Sequence, residues 1–179
     1  MKRAAVFLDR DGVINRPVLI KGRPHPPATL AAFEVLPGVP PALEMLKSHG
    51  YSLIVVTNQP DVARGSGSRA NIDRMHEMLR QRLPIDAILT CFHDDGDDCG
   101  CRKPRPGLLL RAAEDLDLDL ARSFMVGDRW RDIEAGRRAG CGTFFVDRGY
   151  DEARPSAFDY LVGSLPEAAG IITAREVRR

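Results

Sequence analysis

The chain has 179 residues, 44% hydrophobic and 28% charged, enough for one core of ordinary domain size. Its 26 Lys and Arg face 25 Asp and Glu, a formal net charge of +1 that speaks against a nucleic acid or an anionic membrane held by bulk charge. The apolar stretch after Met1-Lys2-Arg3 is cut short at Asp9 and no other run could span a bilayer, so a cytoplasmic single-domain protein over residues 1–179 is expected. With no apolar stripe left over, a monomer is the plainer expectation.

The first predicted strand is the apolar run over residues 4–8, which stops at Asp9-Arg10-Asp11-Gly12-Val13-Ile14-Asn15. A strand buried on both faces of a parallel sheet reads as such a run, and ligands of open α/β sheets bind beyond strand carboxyl ends. A solvated Asp-Gly turn is the plain alternative. Residues 16–36 are Pro-rich and irregular, too polar for core and long for a connection, so they are expected to cover a site. Helical patterns follow over residues 40–49, 68–83, 106–116 and 130–139, the first and last closed by Gly50 and Gly140. Between them the β-rich runs 52–56, 85–89, 123–126 and 144–146 predict further strands. Alternation of this kind implies parallel βαβ units, a three-layer Rossmann-like α/β sandwich. From about Asp151 the pattern weakens, and residues 175–179 are expected to be a frayed tail.

Each predicted strand end carries chemistry. The first gives Asp9 and Asp11, the second Thr57 and Asn58, and the fourth Asp128, with Asp132 one turn later; Lys103 precedes a helix expected to start at Pro104. Each has a bland reading as a cap, a first-turn acid or a surface charge. Their coincidence at one sheet edge instead describes a phosphoryl-transfer site. Crowded carboxylates repel one another, a repulsion a bound Mg²⁺ relieves, and magnesium suits carboxylates plus water and phosphate oxygens. Lys103 and the Thr57 hydroxyl would orient and neutralise phosphate oxygens. Asp9 is placed to attack as a nucleophile, and Asp11 to protonate the leaving oxygen and then activate water.

Cys91, His93, Cys99 and Cys101 crowd one loop, while Cys141 stands apart as a small buried residue. Three thiols and an imidazole make a closed, structural Zn²⁺ site that would fix the backbone carrying Arg102 and Lys103. The competing readings are a Cys99–Cys101 disulfide, disfavoured by a reducing compartment, unligated thiols, or calcium at the acidic stretch 94–98.

The segments Asp9-Arg10-Asp11-Gly12-Val13-Ile14-Asn15, Thr57-Asn58-Gln59, Arg102-Lys103-Pro104 and Gly127-Asp128 resemble, in order, the four motifs of the haloacid dehalogenase superfamily of phosphatases, a match over roughly residues 4–147. The resemblance implies magnesium held by Asp9 and Asp128 through side chains and by Asp11 through its backbone carbonyl, and an aspartyl-phosphate on Asp9. The Cys-x-His loop ending in Cys-x-Cys-Arg-Lys-Pro is similar to two zinc-containing families of that superfamily, the D,D-heptose 1,7-bisphosphate phosphatases and the histidinol-phosphate phosphatases, a likeness that implies the capless form of the fold. Thr57-Asn58-Gln59-Pro60-Asp61-Val62-Ala63-Arg64-Gly65 is similar to the heptose group, with Pro60 and Asp61 replacing small residues; the five residues between His93 and Cys99 match the histidinol group. Arg129 stands where heptose enzymes often have Lys.

A phosphorylated sugar of the heptose bisphosphate type is therefore the expected substrate, with histidinol phosphate the alternative. Arg102 and Arg129 would bind its second phosphate, with Arg64 or Lys21 in reserve, and Asn58 would be a further substrate contact. A zinc-stabilised nucleic-acid-binding module is the reading of another class. It would need a basic face with aromatics, and aromatics are 6% of the residues.

Overall fold

The computed structural model describes residues 2–176. Its main sheet has six parallel strands in the order β5-β4-β1-β6-β7-β8: β1 (Ala5–Leu8), β4 (Ser52–Asn58), β5 (Ala87–Cys91), β6 (Phe124–Gly127), β7 (Gly142–Val146) and β8 (Tyr160–Val162). The helices between them are α1 (Val39–Ser48), α2 (Arg69–Arg82), α3 (Gly107–Asp115), α4 (Trp130–Ala139) and α5 (Leu165–Glu176).

Every residue of β1 is buried, because the strand lies at the centre with helices on both faces. Its alternation sorts the two halves of the core. Val6 and Leu8 face the layer of α1, α2 and α5, packing with Leu43, Leu46, Met75, Leu79 and Ile172. Ala5 and Phe7 face α3 and α4, packing with Leu109, Ala112, Ala135 and Ala139. The result is the predicted α/β sandwich, and Cys141 is a buried member of the second half. Burial pushes its thiol up to about 12, as suits an inert packing residue.

The chain leaves β1 to build β4 and β5 on one side and β6, β7 and β8 on the other, so strand order reverses at β1. Leu8 is in register with Val55 of β4 and Val126 of β6. The residues just past those positions therefore share one crevice at the switch point.

Three expectations are corrected. Residues 16–36 hold an antiparallel hairpin, β2 (Val18–Ile20) and β3 (Arg23–His25), closed by Lys21 and Gly22, both at positive φ. A two-residue turn of that kind matches strand twist, while Pro24 and the shortness of both strands hid the pairing. Beyond Asp151 the chain forms β8 and α5; a three-residue edge strand and a helix burying Ala168 and Ala169 leave little amphipathic signal. α5 runs through Glu176, so residues 175 and 176, expected in a frayed tail, are helical, and residues 177–179 lie outside the described ones. The third concerns Lys103. The helix expected at Pro104 starts at Gly107, after a turn in which Arg105 N–H donates to the Arg102 carbonyl at 2.9 Å. Among the described residues no helix is long and apolar enough to cross a membrane.

Candidate active site

β1 ends one residue before Asp9, whose N–H donates to the Val126 carbonyl of β6 at 3.0 Å, so the backbone of Asp9 is still tied to the sheet. Asp128 follows β6 directly, and Asp132 lies in the first turn of α4, its carboxylate accepting from the Arg129 N–H at 3.0 Å. All three acids are buried, with carboxylate oxygens within 4.8 Å of one another. Two glycines make room for this crowding. A Cβ on Gly127 would fall 2.1 Å from that of Asp132, and one on Gly12, where φ is +91°, would fall 1.8 Å from Asp128 Oδ2.

Lys103 neutralises part of this charge. Its ammonium, 1% exposed, donates to Asp9 Oδ1 at 2.6 Å and to the Val56 carbonyl at 2.8 Å, and pairs with Asp132 Oδ1 at 2.7 Å. Asn58, at the end of β4, fixes the backbone that delivers it: Asn58 Oδ1 accepts from Lys103 N–H and Asn58 Nδ2 donates to the Lys103 carbonyl, at 3.2 and 3.1 Å. Burial and the neighbouring Asp132 push Asp9 up to about 7 despite Lys103. Burial, Asp9 and Asp132 push Asp128 well above the usual carboxylate range. Burial opposes the charge on Lys103, but the carboxylates of Asp132 and Asp9 outweigh it and hold the ammonium above its ordinary value.

The donor set fits a hard divalent cation. It offers oxygen ligands only, and Asp128 Oδ1 is a buried oxygen without a hydrogen-bond partner.

Asp11 faces elsewhere. Its carboxylate accepts from Nε and Nη2 along one edge of the fully buried Arg10 guanidinium at 2.8 to 3.2 Å, from Asn15 at 3.0 Å and from Gln59 at 2.8 Å. Burial works to raise it, but Arg10 and these hydrogen bonds overrule burial and hold it below the usual range. Gln59 also donates to Thr57 Oγ1 at 2.9 Å and so links the second strand end to the first.

Above the acids opens a cleft of about 290 Å³ lined by Asp9, Asp11, Thr57, Asn58 and Lys103 at its floor, by hairpin residues 23–26, and by Arg64, Arg102, Arg129 and Arg131. Each of these last four arginines already meets a carboxylate. Arg64 pairs with Asp94 at 2.5 Å, Arg129 grips Glu152 with two donors, and Arg102 Nε and Arg131 Nη1 share Asp95 Oδ1 at 2.8 and 2.9 Å.

Beside the cleft, Cys91 at the end of β5 meets His93, Cys99 and Cys101. Cys101 Sγ lies 3.1 Å from Cys91 Sγ and 3.6 Å from Cys99 Sγ; Cys91 and Cys99 are 3.7 Å apart, and His93 Nδ1 is 3.3 Å from Cys101. A tetrahedral zinc with Zn–S bonds near 2.3 Å sets its sulfurs about 3.7 Å apart, so the donor chemistry fits and two of the three sulfur separations match, the Cys91–Cys101 pair being closer. All four cysteines are free thiols. Arg102 Nη1 donates to the His93 carbonyl at 3.3 Å and Arg105 Nη1 to the Cys99 carbonyl at 2.7 Å, joining this loop to the Lys103 turn.

Asp9, Asp11, Thr57, Asn58, Lys103, Arg64, Arg102 and Arg129 thus line the cleft, and Asp128 sits in the acid cluster with Asp9. Cys91, His93, Cys99 and Cys101 gather in the loop beside it, while Lys21 is not among the lining residues. Sequence reasoning placed Asp132 one turn after Asp128 at the sheet edge but gave it no metal-binding role, and it did not bring Arg131, Glu152 or Tyr150 to the site. The i, i+4 spacing of Asp128 and Asp132 was the available signal for the first; the others reach the site only through the fold.

A model of the haloacid dehalogenase-like hydrolases matches residues 18–140. The chain is 35% identical to the D-glycero-beta-D-manno-heptose-1,7-bisphosphate 7-phosphatase of Salmonella typhi, over 96% of each chain. It is 36% identical to the enzyme of the same name from Escherichia coli K12, over 91% of this chain and 90% of that one. Among solved structures, D,D-heptose 1,7-bisphosphate phosphatase from B. bronchiseptica, complexed with magnesium and phosphate, matches with a TM-score of 0.82 and 30% identity, covering 96% of this chain and 99% of that one. A HAD-like phosphatase from Mesorhizobium loti matches with a TM-score of 0.76 and 34% identity, over 97% and 85%. The chain belongs to the haloacid dehalogenase-like hydrolases and is a phosphatase.

Proposed function

We propose that this phosphatase removes the 7-phosphate of D-glycero-β-D-manno-heptose 1,7-bisphosphate, acting as a cytoplasmic monomer. The observation that carries the reading is the wall of Arg64, Arg102, Arg129 and Arg131 facing the Asp9–Lys103 floor across one cleft, because a bisphosphate presents a second dianion at a distance from the first. Relatives of that name, similar over nine-tenths or more of both chains, support it.

In this reading an Asp9 carboxylate oxygen attacks phosphorus, and the bond to the sugar oxygen breaks as the aspartyl-phosphate forms. Lys103 and Thr57 hold the non-bridging oxygens. A magnesium ion held by Asp9, Asp128 and the backbone carbonyl of Asp11, with Asp132 beside it, would neutralise the oxygens on which charge accumulates. Asp11 then has two tasks: to give a proton to the departing sugar oxygen, and to take one from the water that cleaves the aspartyl-phosphate. Paired with Arg10 it is in the ionised form the second task needs; the first requires Asp11 to leave Arg10 and take up a proton from solvent, which it then gives to the leaving oxygen. Asn58 acts in this scheme by holding the Lys103 backbone, and Arg129 and Arg102 bind the remote phosphate.

A substrate panel on the wild type and Arg102→Ala tests this. The wild type is expected to prefer the β-anomer of the bisphosphate to histidinol phosphate by tenfold or more in kcat/KM. Each charge-assisted contact to a phosphate is worth roughly 1.5–3 kcal/mol, so Arg102→Ala should lose about tenfold or more on the bisphosphate and much less on p-nitrophenyl phosphate. A preference for histidinol phosphate, or equal losses on both substrates, would overturn the assignment.

We further propose that Cys91, His93, Cys99 and Cys101 hold a structural zinc. Protein purified under reducing conditions should carry one equivalent that survives dialysis against weak chelators. Cys99→Ser should lower melting temperature and activity together, because the loop supporting Arg102 and Lys103 loosens. Metal analysis that finds no zinc removes this part of the proposal.

A further inference from the structure

Beyond β7 the chain crosses the acid cluster through residues 147–151, a segment that carries none of the four motifs. Three bonds seat it there. Arg148 Nε donates to the Gly12 carbonyl at 2.9 Å, Asp151 N–H to the Gly22 carbonyl at 3.0 Å, and the Tyr150 hydroxyl to Asp128 Oδ2 at 2.7 Å. Asp128 is 2% exposed, and its other oxygen, Oδ1, is the buried atom without a partner. The two oxygens of one carboxylate are thus differentiated: one is engaged by a phenol, the other is free. The absent side chain of Gly12 is part of this arrangement, since a Cβ there would lie 1.8 Å from Asp128 Oδ2 and 2.7 Å from the Tyr150 hydroxyl oxygen.

We infer that Tyr150 is a positioning residue for the cation, its hydroxyl locking the Asp128 carboxylate so that Oδ1 alone is presented to the ion. The inference rests on the reading of Asp128 as a cation ligand. A carboxylate free to rotate about its χ2 must be ordered when the ion binds; one already held by a donor behind it loses less freedom, and such outer hydrogen bonds typically contribute 10–100-fold to metal affinity. Donation to Oδ2 also opposes two-oxygen coordination by Asp128, leaving room in an octahedral shell for water and phosphate oxygens.

The test is calorimetric titration of Mg²⁺ into the purified, substrate-free wild type, Tyr150→Phe and Asp128→Asn, with each melting temperature recorded in magnesium-free buffer. Tyr150→Phe removes one oxygen and retains the ring. Its Kd for Mg²⁺ should rise about tenfold or more, and its Mg²⁺ requirement for turnover should rise in parallel. Its magnesium-free melting temperature should fall by no more than the few degrees that one lost hydrogen bond accounts for, and Asp128→Asn should bind no Mg²⁺. Wild-type Mg²⁺ affinity in Tyr150→Phe overturns the inference while leaving Asp128 as a ligand. Undiminished binding by Asp128→Asn overturns the reading beneath it. A drop in the magnesium-free melting temperature of Tyr150→Phe that accounts for the weaker binding would make Tyr150 a general structural residue, and also overturns the inference.

Discussion

An Asp9→Asn variant is expected to fold as the wild type does and to release phosphate at least about a thousandfold more slowly, a barrier increase of roughly 4 kcal/mol. The amide lacks the anionic oxygen that attacks phosphorus. The fold should tolerate the change because Asp9 is one of three buried acids whose carboxylate oxygens crowd within 4.8 Å. Burial and Asp132 already work against its charge, and Lys103 keeps Asp132 and the Val56 carbonyl as partners after the substitution. Phosphate release and a thermal melt followed by circular dichroism check both halves. Activity within about tenfold of wild type would remove Asp9 as the nucleophile.

Lys103→Met should be damaging in two ways at once. Methionine approximates the stem of lysine but removes an ammonium that is 1% exposed and bonded to Asp9, Asp132 and the Val56 carbonyl. Two buried carboxylates then face each other without their counter-charge, and breaking a buried pair in this way costs about 3–5 kcal/mol. Urea denaturation should show that loss, together with turnover reduced at least about a hundredfold. Mg²⁺ should raise the melting temperature of the variant more than that of the wild type, because the cation takes over part of the neutralisation. A stability loss below about 1 kcal/mol would mean that the three acids do not depend on Lys103.

The parts of the fold legible in the sequence are those where local pattern and burial agree. The run Ala5–Leu8 is apolar throughout because β1 is central, and it breaks at Asp9 because the sheet ends there. Gly140, at φ +83°, closes α4 where the periodicity stops. What stayed hidden is set by tertiary contact. β8 is three residues on a sheet edge, and its pairing with β7 is dictated by neighbours, not by propensity. For the candidate site, the strand ends identified which residues border the crevice but not which way each turns. Asn58 was expected to touch substrate, yet its amide closes a two-way bond with the Lys103 backbone. The Asp11 carboxylate was expected beside Asp9, yet the adjacent Arg10 and the distant Gln59 draw it aside. Tyr150 has no motif around it, because its role comes from a loop crossing over from β7.

The pairing of four cleft arginines, Arg64, Arg102, Arg129 and Arg131, with Asp94, Asp95 and Glu152 has a consequence for how an anion is admitted. The wall is salted from within, so with a net charge of +1 the protein exerts little pull on a distant dianion. On the proposed reading, entry would be an exchange of partners at close range, in which a phosphate displaces resident carboxylates to reach the guanidiniums. A dianion with three acceptor oxygens makes that exchange on better terms than a lone carboxylate does. On the proposed reading, selectivity would then fall at the moment of contact, where an anion carrying a single charge competes less well with the protein's own carboxylates.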